Sequence, residues 1–229
     1  MFVRRFQREL KGEEIMAGKN QKTNAVNETL KLPLAEEFEQ DIKSLLEQDD
    51  GVESVTIAAI DLDKFYKVNE RLGFAEGDRV LIEAGSYLRK SLSEGARLYR
   101  YGGDTFTILF ASGTEKEDAF LQMEEIRKAY PVVSLDGEKQ TMSVGIASAP
   151  EDGARASELI SKADGAMYRA KVNGRDRICL AREEKMVTKT SHYTVDQLQR
   201  LTKLSKREGL GEAVLLREAL NALLKKYDV

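Results

Sequence analysis

The chain of 229 residues contains one cysteine, Cys179, and one histidine, His192. A single thiol excludes an internal disulfide and a cysteine-built metal cluster. A single imidazole, placed near the C-terminus, excludes histidine-rich metal centres and leaves a Ser-His-Asp triad in the main body without its base. No apolar run approaches the ~20 residues needed to span a bilayer. The N-terminus has no apolar core followed by small residues, as a signal peptide would. A reducing cytoplasm, with no membrane partner, is therefore the expected setting. The net charge of −3 does not by itself announce a nucleic-acid binder. With 41% hydrophobic and 33% charged residues, the chain can build one sizeable core and a small second module.

Residues 1–27 are polar and irregular and read as a flexible N-terminus, with "FVRRFQRELK" a short basic patch and Met16 an expected alternative start. In "LAEEFEQDIKSLLEQ", Leu34, Phe38, Ile42, Leu45 and Leu46 recur at helical spacing. "VESVTIAAIDLD" reads as a buried strand running into acids, and "KFYKVNERLG" as a short helix closed by Gly73. A helix from Gly77, the hairpin "RLYRYGGDTFTILF", a helix over 115–129 and a hairpin about Asp136-Gly137 follow. A helix ending near Gly174 completes the order βααββαββα. That order predicts an α/β (α+β, palm-like) domain with a largely antiparallel sheet covered by helices.

Several residues in the predicted sheet domain carry possible chemistry. Asp61 and Asp63 end the buried strand, Asn69 and Asp78 follow it, Asp104 sits on the hairpin tip, and Lys171 and Arg175 are four apart at the last helix end. Strand-end and hairpin-tip carboxylates can share an octahedral Mg²⁺ that bridges to phosphates. A carboxylate and an amide can read guanine, Lys and Arg can hold phosphate oxygens, and Gly102 and Gly103 clear side chains where a nucleotide lies close. Each also has a plain reading: a loop or cap for Asp-x-Asp, a dipole-favoured helix start for Asp78, a turn for Gly-Gly-Asp, a solvated face for Lys171 and Arg175.

The order "DLDKFYKVNERLGFAEGDRVL", "RYGGDTF", "SVGIASAPEDG", "ADGAMYRAKVNGRDR" resembles the GGDEF (diguanylate cyclase) family over about 28–180. The resemblance implies a palm-like domain that binds Mg²⁺-GTP; active members join two GTP molecules, one per subunit, into cyclic di-GMP. It implies Asp61, the Leu62 carbonyl and Asp104 as metal ligands, with Asp104 also the catalytic residue. It implies Asn69 and Asp78 on guanine, Gly102 and Gly103 beside the nucleotide, and Lys171 and Arg175 on phosphates. The family's second acid at the hairpin tip is Thr105 here, a neutral hydroxyl and a poor Mg²⁺ ligand. Phe74 stands for the usual His, Leu34-Ala35 for the usual Asn-Arg, and Ser93 and Ala96 for the Arg and Asp of product inhibition. These departures predict a degenerate domain that keeps a guanine pocket with impaired catalysis.

Beyond residue 180 the character changes. Thr194 is expected to cap a helix with a stripe of Leu198, Leu201 and Leu204, a Gly209-Leu210-Gly211 break follows, and Leu215, Leu216, Leu220, Leu223 and Leu224 line a second helix. Residues 181–229 resemble a ribbon-helix-helix DNA-binding domain. The resemblance implies a homodimer whose paired strands enter the major groove, with Thr188, Thr190 and His192 facing bases and the backbone at Gly211 and Glu212 binding phosphate. Residues 183–229 carry nine Lys/Arg against seven Asp/Glu, a mild positive excess. The combination predicts a dimeric DNA-binding regulator that senses GTP or cyclic di-GMP, with Mg²⁺ accompanying GTP. A weak diguanylate cyclase dimerised by its tail, and a protein-binding, antitoxin-like scaffold, are the alternatives.

Overall fold

The computed structural model describes residues 25–47, 54–182, 190–208 and 211–227. The alternative start at Met16, Thr188, and the Gly209-Leu210 part of the break lie outside the described residues. The chain divides into two compact units at Glu183/Glu184.

The first unit holds a five-stranded sheet. Its strands are β1 (Val55–Leu62), β2 (Arg97–Gly102), β3 (Thr105–Leu109), β4 (Met142–Ala149) and β5 (Arg177–Leu180), in spatial order β2-β3-β1-β4-β5. Every neighbouring pair is antiparallel except β4 and β5, which are parallel. All eight residues of β1 are buried, because helices cover both faces of this central strand. The helices are α1 (Ala35–Leu46), α2 (Phe65–Leu72), α3 (Phe74–Ser91), α4 (Lys116–Lys128) and α5 (Ala156–Val172). The period-2 alternation of β1 divides its side chains between two apolar clusters. Ala58, Ile60 and Leu62 join Leu98, Phe106 and Ile108 with α2, α3 and α4. Ile57 and Ala59 join Tyr99 with α1 and α5.

The structure corrects four sequence expectations. Residues 25–27, expected in the irregular terminus, open a helix that runs to residue 30: Val26 and Leu30, one turn apart, are buried in the core, and Leu30 packs against Gly85. The helix expected from Gly77 starts at Phe74, so Asp78 lies in its second turn rather than at its positive end. The turn at Asp136-Gly137 closes only an isolated bridge, Val133 with Lys139. There α3 claims the backbone: Glu76 accepts the Leu135 N–H at 2.8 Å and Arg79 donates to the Val133 carbonyl at 2.8 Å. Finally, β5 was not expected; its four residues are too few to declare a period.

The second unit contains α6 (Val195–Glu208) and α7 (Glu212–Tyr227). Thr194 and Gln197 form a reciprocal capping box: Thr194 Oγ1 accepts the Gln197 N–H at 3.2 Å, and Gln197 Oε1 accepts the Thr194 N–H at 2.9 Å. Thr202 Oγ1 donates to Glu212 Oε1 at 2.6 Å, joining the two helices. No described helix is long and apolar enough to cross a membrane.

Candidate functional site

One end of the sheet collects the polar residues. The ends of β1 and β2 and the starts of β3, β4 and β5 meet there: Asp61 is registered opposite Thr105 on one side and Ser143 on the other, and Ser143 opposite Arg177. The glycine turn brings Asp104 back to β1, where its carbonyl accepts the Leu62 N–H at 3.3 Å. Gly102 and Gly103 take φ of 146° and 52°, values costly for a side chain, while a Cβ on either would meet nothing within 4 Å. They are there for the turn, and they leave open space above it.

Asp61 is 4% exposed. Burial, followed by the Asp104 charge, pushes its carboxyl up to about 7, against the pull of Lys171. Lys171 Nζ stands 2.9 Å from Asp61 Oδ2. The ammonium arrives there along a regular stripe: Leu159, Ala163 and Met167 face the sheet at four-residue intervals, and Lys171 is the next position. The stripe lies close because β4 carries Gly145, where a Cβ would overlap the Ala163 carbonyl oxygen and the Met167 nitrogen.

Asp63, two residues on, is differently occupied. It accepts hydrogen bonds from the Thr141 hydroxyl (2.8 Å), the Ser143 hydroxyl (2.7 Å) and the Asp176 N–H (3.0 Å). Its carboxylate ties β1 to β4 and to the loop before β5, and it does not pair with Asp61 as a second metal ligand.

Asn69 lies on α2 and Asp78 on α3, and the two helices meet at Gly77. The Asn69 amide occupies the space over Gly77, where any Cβ would collide with its oxygen, so it lies beside the residue preceding Asp78. Phe74, 51% exposed, is one turn before Asp78 on the same helix face.

Arg175 is not on one face with Lys171. Helix α5 ends at Val172; Gly174 (φ 115°) turns the chain, and Arg175 itself is left-handed at φ 65°. Its N–H closes back on the Ala170 carbonyl at 3.0 Å, a helix-terminating bond that carries its side chain off the stripe.

Sequence reasoning missed Arg100. It lies on β2 opposite Phe106, 4% exposed, and its guanidinium donates through Nη2 to the Gly103 carbonyl. Burial holds it below the usual arginine range, opposed by the charges of Asp104 and Asp78. The signal was in the alternation: Leu98, Arg100, Phe106 and Ile108 share one face, so an arginine stands at a core-facing position.

Among the described residues, no three acidic, histidine or cysteine side chains gather as a metal cage. Asp61 and Asp104 are two carboxylates whose charges act on each other, and with the Leu62 carbonyl they would offer an all-oxygen donor set. Mg²⁺ is commonly bound in that way, with waters and substrate phosphates completing the octahedron. The residues present therefore fit Mg²⁺ that arrives with a phosphorylated ligand.

In the second unit, Thr190 and His192 are exposed, and residues 190–193 make no sheet ladder within one chain. Gly211 and Glu212 are exposed at the start of α7.

A family model described as "Diguanylate cyclase, GGDEF domain" matches residues 31–177. Diguanylate cyclase A of Treponema denticola is 34% identical over 134 residues, which span 57% of this chain and 36% of that protein. The chain thus spans only about a third of that relative's length. Among solved structures, the GGDEF domain of TpbB from Pseudomonas aeruginosa is 32% identical with a TM-score of 0.62, covering 68% of this chain and 99% of that one. The active GGEEF domain of a diguanylate cyclase from Vibrio cholerae is 26% identical with a TM-score of 0.61, covering 67% and 99%.

Proposed function

Because the chain belongs to the diguanylate cyclase GGDEF family, we propose that its sheet end binds a Mg²⁺-complexed guanine nucleotide and that this binding tunes a DNA-binding C-terminal dimer. The observation that carries the nucleotide reading is the meeting of Asp61 and Asp104 at one sheet end, with Asn69 lodged over Gly77, the residue before Asp78, on the neighbouring helices. When bound, Mg²⁺ would neutralise and bridge phosphate oxygens. Asp61 and Asp104 would hold it, Asp78 would accept from guanine N1–H and the 2-amino group, and Asn69 would meet ring acceptors. Lys171 would leave Asp61 for a phosphate oxygen as the metal replaces it.

Thr105 sets the catalytic prospect. It is 3% exposed and registered directly opposite Asp61, at the position where the family pattern places an acid. A neutral hydroxyl there removes a negative group from the metal's surroundings. Loss of one such contact commonly costs ~10²–10³ in rate. The C-terminal half rests on the resemblance to ribbon-helix-helix domains and on the exposed residues Thr190, His192, Gly211 and Glu212. Two copies would pair their strands into the DNA-reading ribbon.

Thermal unfolding of the full chain with Mg²⁺ and GTP, or with cyclic di-GMP, tests the pocket. A ligand at 100 times its Kd should add ~2.7 kcal/mol, whereas ATP should add little. DNA affinity measured with and without the bound nucleotide tests the coupling; an unchanged affinity would remove the sensor reading. A second reading, a slow diguanylate cyclase, is favoured by the retained Asp61 and Asp104 pair. Product formation with Mg²⁺ or Mn²⁺ that disappears in Asp104→Ala would establish it. Thr105→Glu should then raise the rate.

A further inference from the structure

Arg100 is a cation of the sheet end whose buried donors its own fold leaves under-satisfied. Its side chain is buried, yet among the described residues Nε and Nη1 find no hydrogen-bond partner, and neither reaches solvent. Leaving donors of a buried charged group unpaired is costly, and folded proteins rarely tolerate it without a use. The guanidinium carbon lies 5.3 Å from the Phe106 ring centre, and Nη2 reaches the Gly103 carbonyl. Among the described residues that carbonyl supplies the one hydrogen bond to the guanidinium, and it belongs to the glycine turn carrying Asp104. The ladder between β2 and β3 shifts register between Arg100 and Gly102, an irregularity that re-aims side chains next to functional sites.

The carboxylates whose charges act on Arg100 are Asp104 and Asp78. In the proposed reading one belongs to the metal subsite and the other to the guanine subsite, and Arg100 is close enough for its charge to act on both. In a nucleotide, the group between the base and the metal-bridged terminal phosphates is the ribose with its α-phosphate. Of these, the α-phosphate offers two anionic oxygens, the acceptor geometry that a guanidinium edge matches.

We propose that Arg100 is a nucleotide-binding residue whose guanidinium takes the α-phosphate of the bound guanine nucleotide through its Nε–H and Nη2–H edge, in place of the Gly103 carbonyl. The proposal rests on the reading of this sheet end as a guanine-nucleotide pocket. The bond from Nη2 to the Gly103 carbonyl is the one given up for the guanidinium to meet the ligand.

The test pairs Arg100→Met with three ligands on the full chain: guanosine, GMP and Mg²⁺-GTP, measured by calorimetry. The expected result is a loss of ~10- to 100-fold in GMP and GTP affinity with guanosine affinity unchanged, the scale of a charge-assisted hydrogen-bonded contact. The ligand-free variant should unfold at the same or a higher temperature, because unpaired buried donors have been removed. Wild-type affinity for GMP in the variant overturns the proposal alone. An equal loss for guanosine and GMP also overturns it, since that is what a purely structural residue would give. If the wild-type chain binds none of the three, the pocket reading falls and the proposal with it. Should Arg100→Met fail to fold, Arg100→Gln is measured against the same ligands under the same criteria.

Discussion

In the sheet domain Tyr99 and Phe106 are completely buried, whereas in the C-terminal helix pair Leu220 and Leu223 remain 54% and 51% exposed. The first region has two apolar clusters, one on each face of a central strand, and closes on itself. Among its described residues the second has two helices with apolar stripes, too small a body to hide its own leucines. The contrast explains where chemistry and association belong. Polar residues of the sheet domain concentrate at the open end of a sheet whose faces are already covered. The helix pair offers an unspent apolar face, and a second copy of the same pair is the occupant that the ribbon-helix-helix reading supplies. The regions can thus be broken separately.

The largest effect should come from Gly145→Val. The new side chain meets the α5 backbone, which cannot rotate away as a side chain can. A cost of about 5 kcal/mol is expected, close to the lower end of a domain's whole stability. Hydrogen exchange should show protection lost across 54–182 while α6 and α7 keep theirs. Loss in both regions would mean that they do not stand independently. The Asp61 carboxyl gives a smaller, pH-dependent effect. Its folded value of about 7 exceeds its ordinary 3.8, so the proton is held more tightly in the folded state. Its contribution to stability is fully present below pH 4, falls as pH rises through the window from 4 to 7, and is flat above. The change is at most about 4 kcal/mol at 1.36 kcal/mol per unit. Denaturant unfolding of wild type and Asp61→Asn across this window checks it; an unaltered slope in Asp61→Asn would assign the pH dependence elsewhere.

What the sequence revealed was governed by local rules. The β1 strand announces itself by six apolar residues in eight, the β2–β3 hairpin by alternation and two glycines, and α2 by its Gly73 stop. Residues in one order along the chain also brought Asp61, Asn69, Asp78 and Asp104 to notice together. The rest depended on partners far away in sequence. Asp63 looks like the twin of Asp61 until Thr141, Ser143 and the Asp176 N–H are seen to occupy it. Arg175 looks helical because its four-residue spacing from Lys171 ignores the left-handed turn at Gly174. The bridge at Val133 is short because α3, more than fifty residues earlier, binds its backbone. Arg100 was hidden for a different reason: an arginine in a strand is taken for an exposed one unless its parity with Leu98 is counted.

The smallest of these effects concerns the helix pair itself. Replacing Leu220 by Glu places a charge on the exposed apolar stripe of α7. In a single copy the change is nearly free, because the side chain already meets water. In a symmetric dimer it acts twice, and each copy loses roughly 1.5 kcal/mol of apolar burial, about 3 kcal/mol together. The dimer dissociation constant should therefore rise ~100-fold, seen by sedimentation equilibrium, with thermal unfolding of the sheet domain unchanged. DNA affinity should fall with it and recover at higher protein concentration, because two strands must meet to form one ribbon. A monomeric wild type would leave the stripe to a different protein and remove the DNA-reading ribbon. A variant that stays dimeric would place the self-association on the sheet domain instead.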